Sequence, residues 1–272
     1  MEPSPTPYDL RWSMFGIAVR VHPMFWLVSV IMGADLLRAG IRFLLIWVVC
    51  MFVSILIHEL GHVCAGLAFG SRGHIVLYGF GGLAIGSNRL TRRWQRVAVS
   101  FAGPLAGFVF LGMLFVVLWI WDPQAILVYV DMVIRALGLP IDNFADFRLV
   151  GPRLNHIAFF VVGNLIFINL LWGLVNLLPV WPLDGGMICR EVCEGASPDR
   201  GLSSSLGISL VVAGLLALHC VLVYFGKQLL PIPIGSPYAA ILFGLLAFQS
   251  YQLLQQVNAQ NQQMDDHWDD RD

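Results

Sequence analysis

The sequence predicts an α-helical, polytopic membrane protein with about six transmembrane helices and a small membrane-associated β-hairpin. Of its 272 residues, 58% are hydrophobic and 12% are charged, whereas a soluble domain carries about 25% charged residues. The apolar residues also gather into runs close to the roughly 20 residues that a helix needs to cross a bilayer. The net charge of -1 gives no basic surface for nucleic acid, so that class of partner is excluded.

The predicted helices follow the apolar runs, which lie near residues 24–37, 43–69, 97–121, 156–178, 206–225 and 238–254. The first run is short, ends at Asp35 and Arg38, and could extend back through residues 15–21. No basic start followed directly by an apolar run precedes it, so we expect no cleaved signal peptide. These runs predict a transmembrane domain over residues 1–257, followed by a polar, disordered tail over residues 258–272.

Two connections between the runs differ in character. Residues 71–89 are rich in glycine, with β-formers at 75–78 and a turn signal at 79–82, which predicts a β-hairpin; a plain surface loop is the alternative. Because unpaired backbone groups are unfavourable in lipid, the hairpin should pack against protein or enter the membrane from an aqueous side. Residues 122–155 mix charged and apolar side chains and predict an extramembrane or interfacial connection.

The basic residues indicate an orientation. With the N-terminus inside, ten of the sixteen lysines and arginines fall in segments on the cytoplasmic side. Because basic loops tend to stay in the cytoplasm, the sequence predicts an integral protein of the cell membrane with both termini cytoplasmic.

The motif HELGH at residues 58–62 places three ionisable side chains inside the second apolar run. On a helix, His58 and His62 share one face, about 40° apart, and Glu59 lies about 100° from His58. Two imidazoles in this arrangement can hold Zn²⁺ while the glutamate acts on water without binding the metal. Since each unpaired ionisable group in a span costs about 2.5 kcal/mol or more, three together require a compensating partner such as a divalent metal.

Other interpretations of this cluster stay open. The histidines could join helices through hydrogen bonds in a purely structural cluster. They could also line a metal or proton pathway in a membrane transporter. A non-catalytic membrane scaffold is a further alternative to an enzyme.

A catalytic zinc site normally has three protein ligands and an open position, so a third ligand is needed. Asp184 stands out because it lies in NLLPVWPLDGG, where Pro179 and Pro182 prevent a helix and two following glycines permit a sharp return. Since His58 lies about 22 Å along a core about 30 Å thick, a loop bending inward by about 8 Å would reach it. A tight turn without a metal role is the alternative for this segment. The other acidic candidates are Asp35, Glu191, Glu194 and Asp199.

Together these motifs resemble the site-2 protease family of intramembrane zinc metalloproteases, in its sporulation-type branch. They are HELGH at 58–62, FAGP at 101–104 and Asn-x-x-Pro-x-x-Pro-Leu-Asp-Gly at 176–185, with VRVHPMFW at 19–26 and GFGG at 79–82 as further landmarks. The resemblance covers residues 15–225, and the sequence departs from the family pattern by showing no PDZ insertion and no C-terminal nucleotide-sensing CBS domain.

The resemblance implies one Zn²⁺ per chain held by His58, His62 and Asp184, with Glu59 as the catalytic base and acid. It implies cleavage of membrane-spanning substrate proteins within or near the bilayer. The predicted orientation, with HELGH near the end of the second span, predicts a site nearer the cytoplasmic side. A regulatory membrane protein is a further candidate partner. Candidates for supporting or substrate-binding roles are Asn176, Gly81, Gly82, Pro179 and Pro182. For Asn176, a helix–helix hydrogen bond is the alternative.

Two further expectations concern packing and substrate. A substrate helix must unwind before its peptide bonds can be attacked, and the hairpin at residues 75–85 is expected to pair with the extended segment by strand addition. In FAGPLAG, Gly103, Ala106 and Gly107 are expected to let the third span pack closely against the helix that carries HELGH.

Overall fold

The computed structural model describes residues 2–79, 81–86, 90–136, 155–227, 229–230 and 235–269. Its α-helices are α1 (Pro23–Met32), α2 (Ile41–Ala68), α3 (Arg93–Trp121), α4 (Pro123–Ala136), α5 (His156–Asn176), α6 (Asp184–Ala196), α7 (Gly201–Tyr224) and α8 (Pro237–Asp269). A short 3-10 helix, Ala34–Arg38, lies between α1 and α2. The strands are β1 (Leu10–Met14), β2 (Ile17–Val21), β3 (His74–Tyr78) and β4 (Gly81–Ile85).

The described chain forms two compact units. The first contains residues up to 131 together with residues 155–175, and so holds the sheet and α1–α3. The second contains residues 132–136 and everything described from residue 176, and so holds α6–α8.

Five described helices are long and apolar enough to cross a membrane. They are α2, α3, α5, α7 and residues 237–262 of α8, which confirms the polytopic helical fold class. The predicted first span differs, because α1 has ten residues and is therefore about 15 Å long, half of a bilayer core. Gly33 caps α1, and the chain then tightens into the 3-10 helix.

Helix α1 runs antiparallel to the first half of α2. Phe25 and Phe52 meet with ring centroids 6.3 Å apart, and the Trp47 indole donates to the Ser29 carbonyl at 3.0 Å. Since Phe52 lies eleven residues from the start of α2, α1 begins about 16 Å along that span. The sheet that precedes α1 therefore lies beside the second half of α2, alongside HELGH.

The sheet has the strand order β1-β2-β3-β4, with β2 and β3 parallel and the other pairs antiparallel. The predicted hairpin is confirmed as β3 and β4, although Phe80 in its turn lies outside the described residues. The β1–β2 hairpin was not predicted. Its turn residues Phe15 and Gly16 both have positive φ, 53° and 78°, as a two-residue type I′ turn requires.

One face of the sheet packs on the helices and forms the core of the first unit. This core joins β2 and β3 to α1, α2 and α5 through Ile17, Val19, Val21, Phe25, Cys50, Met51, Ile55, Val63, Ile75, Leu77 and Ile168. The alternation of inward residues along β2 explains its burial, because successive side chains of a strand point to opposite faces.

The N-terminal segment is tied to the sheet by charge. Arg20 contacts Asp9 at 3.1 Å and Glu2 at 2.8 Å, and His74 lies 3.3 Å from Glu2. Hydrogen bonds from Thr6, followed by those from Arg20 and Arg11, hold the pKa of Asp9 below its ordinary value.

Two other connections can be compared with the sequence predictions. The connection predicted over 122–155 contains α4, an amphipathic helix whose Tyr129 hydroxyl donates to the Phe159 carbonyl at 2.8 Å; residues 137–154 lie outside the described residues. The tail predicted as disordered from residue 258 is helical as far as Asp269, and residues 270–272 lie outside the described residues. Gln, Ala and Met favour helices, and extending an existing helix avoids the cost of nucleation.

Candidate active site

Helix α2 carries the three candidate side chains of HELGH in the protein interior. The helix contains no proline and no polar residue between Phe43 and Phe52, so it continues unbroken from Ile41 to Ala68. His58, Glu59 and His62 are buried, at 4%, 4% and 6% relative exposure. Three ionisable groups therefore share one buried region of a membrane-spanning helix, as the spacing predicts.

The two imidazoles converge on one point. Their Nε2 atoms lie 3.1 Å apart and the rings meet edge to face. Two nitrogens bound tetrahedrally to one zinc at about 2.05 Å would lie about 3.3 Å apart. The pair therefore fits the distance that a shared zinc ion requires.

The carbonyl of Val99 on α3 determines the tautomer of His62. His62 Nδ1 lies 2.7 Å from this oxygen, and because a carbonyl only accepts hydrogen bonds, Nδ1 carries the proton and donates it. In the neutral ring, Nε2 then presents its lone pair toward His58. Such a contact orients a metal-binding histidine and raises its basicity. No side-chain signal in the sequence could identify Val99, because its contribution comes from the main chain.

Glycines let α3 approach this face of α2. A Cβ atom on Gly103 would collide with the His62 ring, 2.8 Å from Cδ2 and closer to Nε2 and Cε1. A Cβ atom on Gly61 would collide with the Ala102 carbonyl oxygen and lie 2.7 Å from Ala106 Cβ. The prediction that FAGPLAG permits close packing against the HELGH helix is confirmed for Gly103 and Ala106, whereas Gly107 faces Asn169 of α5 instead.

Strand β4 passes directly over Glu59. A Cβ atom on Gly82 would lie 2.6 Å from Glu59 Oε1 and would collide with Cγ. The neighbouring Gly81 is less tightly packed, since its Cβ atom would lie 3.2 Å from the Trp172 ring. Gly82 therefore contacts the candidate base, whereas Gly81 contacts α5.

A buried amide joins α5 to α2 one turn before His58. Asn169 donates to Ser54 Oγ at 2.9 Å and to the Leu165 carbonyl at 2.7 Å. A Cβ atom on Gly107 of α3 would lie 3.4 Å from Asn169 Oδ1. Asn169 is not among the predicted site residues, although an amide within an apolar run is a sequence signal for such a helix contact.

In the second unit, Asp184 is the first residue of α6, where a carboxylate is favoured by the helix dipole. Pro179 and Pro182 lie in the non-helical segment 177–183 that the sequence predicts, and Asn176 is buried at the end of α5. The roles of these residues stay predictions.

The two glycines after Asp184 differ from the expectation that they permit a turn, because both lie within α6. A Cβ atom on Gly185 would collide with the Leu177 carbonyl, and one on Gly186 would lie 2.5 Å from the Val180 carbonyl. Because both glycines lack a side chain, the backbone of the loop can pack directly against the first turn of α6. In the motif VRVHPMFW, His22 caps α1 by accepting a hydrogen bond from the Met24 amide at 3.1 Å.

Known proteins share the region that carries these residues. Residues 46–218 match the family model of peptidase family M50. The chain is 25% identical over 237 residues to a zinc metalloprotease of Methanocaldococcus jannaschii, covering 81% of this chain and 60% of that protein. It is 32% identical over 193 residues to a candidate zinc metalloprotease of Synechocystis, covering 66% of this chain and 42% of that protein.

Two further comparisons concern a sporulation protein and a solved structure. The chain is 27% identical over 180 residues to stage IV sporulation protein FB of Bacillus subtilis, covering 65% of this chain and 48% of that protein. It therefore spans about half the length of these three curated relatives. The fold matches the structure of a site-2 protease from Methanocaldococcus jannaschii with a TM-score of 0.56 and 21% identity, over 90% of this chain and 94% of that one.

Proposed function

The chain belongs to peptidase family M50, and from this membership we propose that it is a zinc metalloprotease that cleaves membrane-spanning proteins within or near the bilayer. The family match bears out the resemblance to site-2 proteases, and the five apolar helices are those of an integral membrane protein. The observation that carries the proposal is the pair of imidazole Nε2 atoms 3.1 Å apart, buried in α2 beside Glu59.

The proposed ligands are His58, His62 and Asp184, with one Zn²⁺ per chain. Two imidazoles and one carboxylate are a ligand set typical of catalytic zinc, which keeps a position open for water or substrate. Zinc bound there supplies Lewis-acid activation of water and of a peptide carbonyl. The hydrogen bond from His62 to the Val99 carbonyl holds one imidazole in the tautomer that this requires.

Glu59 is the proposed proton carrier. Its carboxylate accepts the proton of the water whose oxygen attacks the scissile carbonyl carbon, and it then delivers that proton to the departing amide nitrogen as the C–N bond breaks. Gly82 leaves room for the carboxylate beneath β4. Because Glu59 is buried, its carboxylate exchanges protons with the reacting groups and not with bulk water.

The proposed substrate segment is an extended, unwound part of a transmembrane helix. Strand β4 is one of the two edge strands of the described sheet, and its residue Gly82 lies over Glu59. A substrate strand added beside β4 would run past the candidate base with its backbone held in extended form.

Cleavage of a single-span substrate in proteoliposomes, with zinc content measured in parallel, tests the proposal. Glu59→Gln should lower kcat by about 10²–10⁴-fold while zinc is retained, since the residue transfers protons and does not bind metal. Asp184→Asn should lower both zinc content and cleavage, and a zinc chelator should stop cleavage by the unchanged protein.

Three outcomes would contradict the proposal. Full cleavage by Glu59→Gln would exclude the proton role, and unchanged zinc in Asp184→Asn would point to another third ligand. Zinc flux across the liposomes without cleavage would indicate a transporter instead of an enzyme.

A further inference from the structure

A chain of buried hydroxyl groups links the segment before Asp184 to two helices of the second unit. The Trp181 amide donates to Ser209 Oγ of α7 at 2.7 Å. Ser209 Oγ and Ser250 Oγ of α8 lie 2.7 Å apart, and Ser250 Oγ donates to the Leu246 carbonyl at 2.9 Å. Both serines are buried, at 1% and 0% relative exposure.

The donor and the acceptor can be assigned for each hydrogen bond in this series of hydroxyl groups. Each hydroxyl carries one proton, and Ser250 gives its proton to the Leu246 carbonyl, which can only accept. Ser209 must therefore donate to Ser250, and its oxygen is left to accept from the Trp181 amide. Alanine would fill the same apolar positions, so helix packing alone does not require two hydroxyl groups here.

The loop segment that these hydrogen bonds hold packs closely against the helix turn that begins with Asp184. Trp181 lies three residues before Asp184, in a loop whose two prolines offer no N–H groups. The carbonyls of Leu177 and Val180 pack against Gly185 and Gly186 so closely that a Cβ atom would collide. A displacement of the loop at Trp181 must therefore move the first turn of α6 with it.

We propose that Ser209 and Ser250 are positioning residues that hold the Asp184 turn in the geometry required for zinc binding. This inference rests on the proposed role of Asp184 as a ligand. Ser209 acts directly, as the acceptor for the loop amide. Ser250 acts through Ser209, by fixing the direction in which the Ser209 hydroxyl points.

The test compares the zinc affinities of Ser209→Ala, Ser250→Ala and Ser203→Ala, measured by competition with a chelator. The matched control is Ser203, which also joins α7 to α8, but whose hydroxyl donates to Asn258 Oδ1 at 3.2 Å and not to the loop. We expect Ser209→Ala to weaken zinc binding about tenfold. Ser250→Ala should have a smaller effect, because the Ser209 hydroxyl can turn to a carbonyl of its own helix, and Ser203→Ala should have none.

The thermal midpoint of the zinc-free protein separates positioning from stability. If Ser209→Ala lowers that midpoint while zinc affinity stays unchanged, the serines only stabilise the helix pair and the inference is wrong. An equal loss of zinc affinity in Ser203→Ala would also overturn it. Asp184→Asn provides the reference: if that variant keeps full zinc affinity, the ligand assignment fails, whereas a loss there without a loss in Ser209→Ala rejects the positioning role alone.

Discussion

Gly82 and Gly103 contribute to the candidate site through the side chain that each lacks. Gly82 of β4 lies against the Glu59 side chain, and Gly103 of α3 lies against the His62 ring. Neither has a positive φ, so their role is space and not backbone conformation. At this scale the site depends on how closely β4 and α3 approach two polar side chains of α2.

Gly82→Ala should displace the Glu59 carboxylate. The added Cβ would meet the flexible end of that side chain, so the carboxylate is expected to move while the strand stays in place. Because small misplacements of a reacting group slow chemistry strongly, kcat should fall by about 10–100-fold, with zinc affinity unchanged. Gly81→Ala is the matched control, since its Cβ would lie 3.2 Å from Trp172. Equal kcat values for the two variants would show that Gly82 does not hold the base.

Gly103→Ala should act on the metal instead. Its Cβ would collide with the imidazole of His62, and misorientation of this ring should weaken zinc binding by about 10–100-fold. Gly112→Ala on the same helix has open space around the added Cβ and should leave the affinity unchanged. A similar loss in both variants would trace the effect to α3 as a whole and not to His62.

The sequence identifies the side chains of the site better than the groups that orient them. The spacing predicts that His58 and His62 share one helix face with Glu59 about 100° away, and the structure has all three buried on α2. The Val99 carbonyl, which orients His62, has no signature, because every residue has a carbonyl. Gly82 was assigned only a general supporting role, since its contact with Glu59 depends on how β4 packs across α2.

At the scale of elements, residues that the sequence offers as a possible extension of the first transmembrane helix belong instead to the sheet. The β-formers at 75–78 and the turn signal at 79–82 predict β3 and β4. Strand β2 falls in the possible extension of the first helix over residues 15–21, and β1 is not predicted. The alternation of Ile17, Val19 and Val21 and the turn at Gly16 were the signals for them. The helix that follows has only ten residues and ends at the Gly33 cap.

The position of β4 at the sheet edge predicts how a substrate would bind. Cysteine at Leu83, which is 39% exposed, should form disulfides with a single-cysteine series along the substrate. An extended strand should crosslink strongly at every second substrate position, whereas a helix would do so with a spacing of three or four. Ser13→Cys, on the opposite edge strand β1, is the control and should not crosslink. A helical spacing, or equal crosslinking at Ser13→Cys, would reject strand addition.

At the scale of the whole molecule, the parallel pairing of β2 with β3 constrains the path of the segment between these two strands. The chain leaves the sheet at His22 and returns to it at His74, and the His22 amide donates to the Leu77 carbonyl at 2.9 Å. Since α2 returns the chain to the sheet, the shorter path of α1 and the 3-10 helix must carry it away. Five helices are long enough to cross a membrane. We therefore expect α1, the 3-10 helix and the sheet to make the first crossing together, which would give the even number of crossings that the sequence predicts.

If the first crossing and α2 are counted as two, the helices α3, α5, α7 and α8 bring the expected total to six crossings. Because six is even, we expect both ends of the chain on one side of the membrane. Single cysteines at Ser4 and Gln260 in a background without native cysteines should react with an impermeant maleimide from the same side. Ala39→Cys, between the 3-10 helix and α2, should react only from the opposite side. The excess of arginine on the first side predicts that it is the cytoplasm, which labelling of intact cells and of inverted vesicles would distinguish. Reaction of Ser4→Cys and Gln260→Cys from opposite sides would mean that residues 23–38 do not carry the chain across, and that the parity argued from the sheet is wrong.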